Sequence, residues 1–167
     1  MPLTIRPGDM RDLDVIVDFN QRLAWETERF RLDSNRIRAG VTTVLEGRAE
    51  AHYLVAELNG EVVGQMMFTR EWSDWRNGWF YWIQSVYVIA EARRQGVFRA
   101  LYSAAVRMVE EQPNAVGLRL YVEEHNHPAQ QTYLRLGMET AGYLVLQQAV
   151  RNALRSESRE SGAGNSE

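Results

Sequence analysis

The sequence predicts an α+β fold built on one mixed sheet, and three observations support this class. Asn59-Gly60 separates two apolar, strand-like runs, and Asn-Gly supplies the positive φ angles that tight hairpin turns need. A stripe of apolar residues with a period of about 3.6 residues follows Gly96 and is typical of a helix packed on a core. Another strand-like run comes after that helix, so a meander is followed by a β-α-β unit.

The N-terminal part of the chain predicts one strand and two helices. Residues 3–6 form a short strand, and Asp9 follows as the N-cap of the first helix. Asp33 or Ser34 begins the second helix, and Gly47 ends it. The inward faces of these helices are predicted to carry Leu13, Ile16, Val17, Leu23 and Ala24 in the first and Ile37, Val41, Val44 and Leu45 in the second.

The central part of the chain predicts a three-stranded meander. Residues 51–58 and 61–69 flank the first Asn-Gly and are expected to pair as a hairpin. A second Asn-Gly, Asn77-Gly78, precedes the aromatic run at residues 79–88, which predicts the third and last strand of the meander.

The chain then predicts a helix from Gly96 that ends before Pro113, and a strand at residues 117–124. Asn126 is expected to cap a short helix, because an Asn side chain accepts from the amides of a first turn and Pro128 fits there. A last strand is predicted at residues 143–148.

Length and composition indicate one domain, at residues 1–150, followed by a polar, disordered tail at residues 156–167. The chain has 167 residues, of which 45% are hydrophobic and 25% are charged, as in ordinary globular proteins. Its net charge of −3 gives no global basic field for nucleic acid. No apolar run is long enough to span a bilayer, so we expect a cytoplasmic protein without a membrane partner. Cysteine is absent, which excludes disulfides, thiolate zinc sites and a cysteine nucleophile.

A cluster of arginines surrounds the start of the helix that follows Gly96. Arg93, Arg94 and Arg99 stand where the helix dipole is positive, which is an unfavourable place for cations. Backbone N–H groups at a helix N-terminus bind phosphate, and arginine adds charge-assisted hydrogen bonds. The cluster therefore indicates either a phosphate site or a solvated surface paired with nearby carboxylates.

Two segments, which occur in the same order as in a known family, carry a family resemblance. SVYVIAEARRQGVFRAL and LYVEEHNHPAQQTYLRLGM together resemble the GNAT superfamily of acyl-CoA-dependent N-acetyltransferases. The first segment matches that family's Arg/Gln-x-x-Gly-x-Gly/Ala turn at Arg93 and Gly96, with Phe98 in place of the last small residue. The resemblance implies a GNAT-like fold: a central, mixed, mostly antiparallel twisted sheet of six to seven strands, four flanking helices, and splayed strands 4 and 5.

The resemblance also implies acetyl-CoA as co-substrate, without a metal. The backbone of Val86, Tyr87 and Val88 is expected to lie along the pantetheine arm, and the N–H groups from Arg93 to Arg99 are expected to hold the pyrophosphate. Ala90 stands where the family usually has proline, which leaves this turn less rigid. The expected cofactor-binding residues are Val86, Tyr87, Val88, Arg93, Arg94, Gln95, Gly96, Val97, Phe98, Arg99, Asn126, Pro128 and Tyr133.

Two residues are expected to carry the chemistry of acetyl transfer. Tyr133 is the candidate general acid for the leaving thiolate, because its phenol is neutral at neutral pH. Gln84 stands where the family often has a carboxylate base, and an amide cannot take a proton. In the fold that the resemblance implies, the region between the first two helices borders the acceptor channel, so Glu26 is the first candidate for a base that acts through water, with Glu28 and Glu123 as alternatives. Glu26 and Gln84 are expected to contact the acceptor.

The predicted reaction is direct transfer to a primary amine of a small molecule or a protein, in a ternary complex, and the protein is expected to be a homodimer. One alternative is a non-catalytic acyl-CoA-binding regulator on the same fold. Another is an interaction module that uses a surface rich in tryptophan. The aromatic residues of that surface are Trp72, Trp75, Trp79, Tyr81 and Trp82.

Overall fold

The computed structural model describes residues 2–150, and the predicted polar tail lies outside them. No described helix is long and apolar enough to cross a membrane. The chain divides into two compact units between Tyr121 and Val122, which are described separately below. In chain order the elements are β1 (Leu3–Pro7), α1 (Leu13–Glu28), α2 (Ser34–Leu45), β2 (Ala51–Leu58), β3 (Glu61–Ser73), β4 (Gly78–Val88), α3 (Val97–Glu110), β5 (Ala115–Leu120) and α4 (His127–Arg135).

The first unit contains one sheet, in which the strand order is β1-β2-β3-β4-β5. The pairs β1–β2, β2–β3 and β3–β4 are antiparallel, and β4–β5 is parallel. The predicted mixed, mostly antiparallel sheet with four helices is thereby confirmed. The predicted number of six to seven strands is too high, because the described residues form five.

The strand predicted at residues 143–148 is the source of this difference. These residues form no strand, and Tyr143, Leu144 and Leu146 are 75%, 91% and 91% exposed. An apolar pattern favours a strand only where a neighbouring ladder and a buried face are supplied, and neither is present within the second unit. The prediction of a last strand from local pattern alone was wrong.

Helices α1 and α2 pack on one face of the sheet. Ile16 of α1 and Val41 of α2 form a buried cluster with Tyr53 and Val55 of β2. The predicted cap of α2 is confirmed, since the Asp33 carboxylate accepts a hydrogen bond from the Arg36 amide at 2.7 Å. Asp9 caps a single 3-10 turn, Met10–Asp12, which leads into α1.

Helix α3 packs on the opposite face, with Leu101 and Ala105 fully buried. Gly64 of β3 permits this close approach. A Cβ atom at Gly64 would lie 3.1 Å from the Tyr87 carbonyl oxygen and 3.2 Å from Cγ1 of Val97 at the start of α3. The glycine thus sets how near the helix comes to the sheet.

The two Asn-Gly dipeptides have different roles. Asn59 and Gly60 both have positive φ, 57° and 83°, which confirms the predicted hairpin turn. In the second dipeptide only Asn77 does, at 48°, and Gly78 already belongs to β4. A Cβ atom at Gly78 would lie 2.5 Å from both the Asn114 carbonyl oxygen and the Val116 side chain. Glycine is required here by a close approach of chain segments, and the third strand of the meander that was predicted after this dipeptide is confirmed as β4.

An ion-paired junction joins β1, β2 and the entry to α1. The Arg6 guanidinium donates to both carboxylate oxygens of the buried Asp12, at 2.8 and 2.9 Å. Its Nε donates to Glu57 at 2.9 Å. Two strands and the start of the helix are therefore held by one cation.

The second unit contains α4, and its predicted cap is confirmed. The Asn126 side chain accepts a hydrogen bond from the Ala129 amide at 3.2 Å, and Pro128 lies in the first turn. Gly137 follows with a φ of 95°, and the Met138 amide donates to the Tyr133 carbonyl at 3.1 Å. The preceding strand, β5, ends at Leu120, four residues earlier than the predicted end at Glu124.

Candidate functional site

The candidate site begins where β4 and β5 stop pairing. The parallel ladder runs from Trp79 and Ala115 to Ile83 and Leu120, and β4 then continues to Val88 with β3 as its partner. Within the first unit, residues 84–88 therefore present one backbone edge that no strand occupies. An open strand edge offers N–H and C=O groups to an extended ligand. This geometry agrees with the expected divergence of strands 4 and 5.

A β-bulge lies in this unpaired stretch. Met67 pairs with Gln84 and Gln65 pairs with Tyr87, so β4 carries one residue more than β3 between these positions. Ser85 has a φ of 48°, which is unusual for a residue with a side chain. A bulge re-aims the adjacent backbone groups, and bulges are frequent beside active sites.

The buried side chain of Gln65 contacts the bulge. Gln65 is 0% exposed, and its Nε2 donates to the Ser85 carbonyl oxygen at 3.2 Å. Its Oε1 has no hydrogen-bond partner among the described residues. Leaving a buried acceptor unsatisfied costs free energy, so an alternative apolar side chain would be expected here unless the amide has a task.

The turn after β4 has the geometry of an anion site. The Ile89 amide donates to the Val63 carbonyl at 3.0 Å, and a 3-10 turn at Ala90–Ala92 follows. Arg94 and Gly96 adopt left-handed conformations, with φ of 63° and 81°, just before α3 begins. The region around the Gly96 Cβ position is open, with no other atom within 4 Å.

The first turn of α3 begins directly after Gly96, beside this open region. The first helical hydrogen bond of α3 runs from the Ala100 amide to the Gly96 carbonyl at 2.9 Å. The preceding amides lie before the i→i−4 ladder, where a helix binds anions. Arg94, Gln95 and Arg99 are exposed around them, so the residues present fit a pyrophosphate group.

Three predicted site residues form one hydrogen-bonded network near the end of β4. Glu26, at the end of α1, accepts a hydrogen bond from the Tyr87 hydroxyl at 2.9 Å and one from Arg93 Nη2 at 2.6 Å. Arg93 Nε also donates to the Val88 carbonyl at 2.9 Å. The Arg93 side chain therefore links the end of α1 to the end of β4, while its backbone belongs to the predicted phosphate turn.

This network determines the charge state of Glu26. Burial alone disfavours the carboxylate, but hydrogen bonds from Arg93 and Tyr87 outweigh it and lower the pKa of Glu26 below its ordinary value. Burial, followed by the hydrogen bond to Glu26, raises the pKa of the Tyr87 hydroxyl. At neutral pH Glu26 is thus an anion and Tyr87 is neutral. Such a carboxylate attracts a cation well but is a weak base.

The other predicted residues lie in separate places. Gln84 donates from Nε2 to Thr69 Oγ1 at 2.7 Å and belongs to the first unit, beside the bulge. Asn126, Pro128 and Tyr133 lie on or at the start of α4, in the second unit. The alternative base Glu123 also belongs to the second unit, and its carboxylate accepts from the His125 amide at 2.8 Å.

A further cluster, here called the aromatic–acidic cluster, was not recognised in the sequence. It lies in the first unit and consists of Glu71, Phe80, Trp82, Arg119 and Tyr121. The predicted second strand of the hairpin ended at residue 69, whereas β3 continues to Ser73 and so brings Glu71 opposite Phe80. Residues 70–73 read Arg-Glu-Trp-Ser and lack the alternation of polar and apolar residues that would have extended the predicted strand.

Comparison with solved structures identifies close matches to this fold. A possible acetyltransferase from Clostridium difficile 630 is 43% identical, with a TM-score of 0.84 over 90% of this chain and 99% of that chain. The complex of AAC(6')-Iy with the bisubstrate analogue CoA-S-monomethyl-acetylneamine is 14% identical, with a TM-score of 0.74 over 90% and 99% of the two chains. The second likeness concerns the fold alone.

Comparison of sequences gives the same result. An N-alpha-acetyltransferase from Sulfurisphaera tokodaii is 28% identical over 144 residues, which cover 81% of this chain and 79% of that protein. Residues 13–138 match the Acetyltransferase (GNAT) family, and this range includes both segments on which the resemblance was based. The chain therefore belongs to the GNAT family of acetyltransferases.

Proposed function

We propose that this protein transfers the acetyl group of acetyl-CoA to a primary amine by direct attack in a ternary complex. The observation that carries the proposal is the continuity of the open edge at residues 84–88 with the anion-binding turn before α3. The edge suits the amides of a pantetheine arm, and the turn suits its pyrophosphate. The likeness to acetyltransferases supports the same reading.

The proposed reaction joins the acceptor nitrogen to the acetyl carbonyl carbon and breaks the bond from that carbon to sulfur. The amine must first lose a proton, because a lysine-like ammonium has a pKa of about 10.4. Backbone N–H groups near the bulge are proposed to stabilise the developing oxyanion. The Tyr133 hydroxyl is proposed to give its proton to the leaving thiolate and to regain one from solvent.

Glu26 and Gln84 are proposed to act on the acceptor. Because hydrogen bonds keep Glu26 ionised, its carboxylate is proposed to attract the protonated amine and to orient a water through which the amine loses its proton to solvent. Gln84, which cannot take a proton, is proposed to orient the amine by hydrogen bonding. Asn126 and Pro128 are proposed to complete the cofactor site.

Two measurements on cofactor-free protein test the proposal. Acetyl-CoA at about 100 times its dissociation constant should stabilise the fold by roughly 2.7 kcal/mol in a thermal melt. A panel of amines, including peptides with free N-terminal amines, should then release free CoA thiol. Stabilisation without thiol release from any amine would favour the acyl-CoA-binding regulator. If acetyl-CoA neither stabilises the fold nor releases thiol, both the acetyltransferase and the acyl-CoA-binding regulator are excluded.

We also propose that the protein works as a homodimer in the cytoplasm. The exposed apolar side chains at residues 143–146 offer a surface that a second copy would cover. The cytoplasmic assignment follows from the proposed use of acetyl-CoA. Light scattering over a range of protein concentrations tests the oligomeric state, and a mass of 19.3 kDa at every concentration would contradict the dimer.

A further inference from the structure

We propose that the aromatic–acidic cluster binds a second cationic group of the acceptor, so that the preferred acceptors are diamines rather than simple monoamines. The inference rests on the proposed acetyl transfer and specifies the substrate class for it. It is carried by the face on which the cluster lies, by the contacts of Glu71, by the aromatic surroundings, and by the separation from the bulge.

The cluster lies on the face of the sheet that α1 covers further along. Tyr87 on this face packs against Phe19 of α1, with ring centroids 5.3 Å apart. Cross-strand partners share a face, and the ladder pairs Gln65 with Tyr87, Met67 with Gln84, and Glu71 with Phe80. Towards the end of β3 the Glu71 side chain on this face is 49% exposed.

Glu71 is the accessible partner of an ion pair. Its Oε2 accepts from the Trp82 indole at 3.1 Å, and its Oε1 accepts from Arg119 Nη1 at 3.3 Å. The Arg119 side chain is 22% exposed, and its guanidinium carbon lies 3.5 Å from the Phe80 ring centroid. A carboxylate offers about four acceptor positions, so Glu71 retains capacity on its open side. A ligand reaching this pair therefore meets the carboxylate more readily than the guanidinium.

The aromatic side chains favour the same charge. Trp82 and Tyr121 stack with ring centroids 4.5 Å apart, and Tyr121 is 60% exposed. Aromatic faces attract ammonium groups, most strongly those of tryptophan and tyrosine. Arg119 already lies 5.9 Å from the Trp82 ring centroid, and Arg76 lies 5.3 Å from that of Phe80. The exposed Tyr121 ring beside the Glu71 carboxylate is therefore the aromatic contact proposed for an alkylammonium group.

The distance between Glu71 and the bulge in β4 gives the expected length of the acceptor. Because Glu71 is hydrogen-bonded to the Trp82 indole, its carboxylate lies beside that residue. Trp82 precedes Ser85, the bulge residue, by three positions, which corresponds to about 10 Å of extended strand. Acetyl transfer is proposed to occur near the bulge. A reacting amine there and a distal ammonium at Glu71 would thus be about 10 Å apart.

The test compares octylamine with diaminooctane, whose chain has the same length and carries an amine at each end. The wild-type protein is expected to prefer the diamine by at least tenfold in kcat/KM. Glu71→Gln keeps the side-chain shape and removes the charge, and it should reduce this preference about tenfold with octylamine turnover and acetyl-CoA affinity unchanged. Glu61→Gln, at the exposed opposite end of β3, is the matched control and should leave the preference intact. An equal preference in Glu71→Gln and wild type would overturn the proposal.

Binding of diaminooctane is measured separately, so that the inference and the proposed reaction can fail independently. Titration of the CoA-bound protein should change tryptophan fluorescence, and Trp82→Phe should remove most of that change. Binding that depends on Glu71 without transfer to any amine would retain the cation site and reject the proposed reaction. Transfer to diamines with binding insensitive to Glu71→Gln would retain the reaction and reject the cation site.

Discussion

The Gln65 side chain is the most unusual residue in the core. Its side-chain amide is fully buried. The Nε2 atom donates a hydrogen bond to the Ser85 carbonyl oxygen at the bulge, and the Oε1 atom has no hydrogen-bond partner among the described residues. An arrangement that is costly to bury and yet maintained at a bulge fits a positioning role, since bulges hold backbone groups in set directions. In the proposed reaction those groups are the oxyanion donors.

Replacing Gln65 with Met tests this role. The substitution nearly conserves volume and removes both the useful donor and the orphan acceptor, so stability should change by less than about 1.5 kcal/mol. The bulge loses its support, so kcat should fall about tenfold while the affinity for acetyl-CoA changes little. Stopped-flow transfer and calorimetry with CoA measure the two quantities. Equal losses in kcat and affinity would instead indicate a general structural defect.

The proposed role of Tyr133 as a general acid gives a second prediction at the residue scale. Tyr133→Phe keeps the ring and removes the hydroxyl that is proposed to protonate the thiolate. General acid catalysis contributes about 10²–10⁴-fold, and kcat should fall within this range. Thermal melts with acetyl-CoA should be unchanged. Single-turnover transfer at the wild-type rate would remove Tyr133 from the mechanism.

At the scale of elements, Gly96 and Gly64 are both required as glycines, but for different physical reasons. Space is not limiting at Gly96, since no atom lies within 4 Å of its Cβ position, but its φ of 81° disfavours other residues. The requirement is therefore conformational, in contrast to Gly64, where a Cβ atom would press on α3. A side chain at position 96 would also project into the region proposed for the pyrophosphate.

A pair of substitutions distinguishes the backbone of this turn from its side chains. Gly96→Val should weaken CoA binding more than tenfold and destabilise the fold by about 1–2 kcal/mol, the cost of a left-handed non-glycine residue. Phe98→Gly should leave CoA affinity within a few-fold, although helix propensity falls by about 1 kcal/mol. Isothermal titration with CoA measures both. Equal losses of affinity would contradict a backbone-held phosphate.

The junction of β1, β2 and α1 predicts the acid sensitivity of the fold. Burial disfavours the Asp12 carboxylate, but the Arg6 guanidinium and the Asp9 amide outweigh it and lower the pKa of Asp12. A carboxyl group whose pKa is lower in the folded protein stabilises the fold above its unfolded value of about 3.9 and loses that contribution as pH falls through the folded value.

Asp12→Asn should destabilise the protein by about 1.5–3 kcal/mol at neutral pH, because hydrogen bonds to a charged group are lost. The difference in stability between variant and wild type should shrink as pH falls through the folded pKa of Asp12. Urea titrations from pH 7 to about pH 2 measure it, because the folded pKa of Asp12 lies below the ordinary value of an aspartate. A difference that stays constant with pH would show that Asp12 contributes through packing rather than charge.

At the scale of the whole molecule, the sequence predicted well what depends on nearby residues. The Asp33 and Asn126 caps, the Asn59-Gly60 turn and the helix after Gly96 all follow from local spacing. Family membership was also predictable, because its two segments are short and ordered.

The long-range contacts were not predictable in the same way. Glu26 was expected near the acceptor because of the fold that the family resemblance implies, but its pairing with Arg93 joins residues 67 positions apart and has no local signal. The aromatic–acidic cluster was missed because it depends on the register of three strands. The expected last strand failed for the same reason, since strand pairing is decided by partners elsewhere in the chain.

The close approach at Gly78 fixes where the pairing of β4 with β5 begins. Even a methyl group at this position would collide with the Asn114 carbonyl and with Val116, just before Trp79 and Ala115 start the parallel ladder. That ladder ends at Ile83 and Leu120, and the unoccupied edge of β4 follows directly. A larger residue at position 78 is therefore expected to disturb the strand register on which the position of that edge depends.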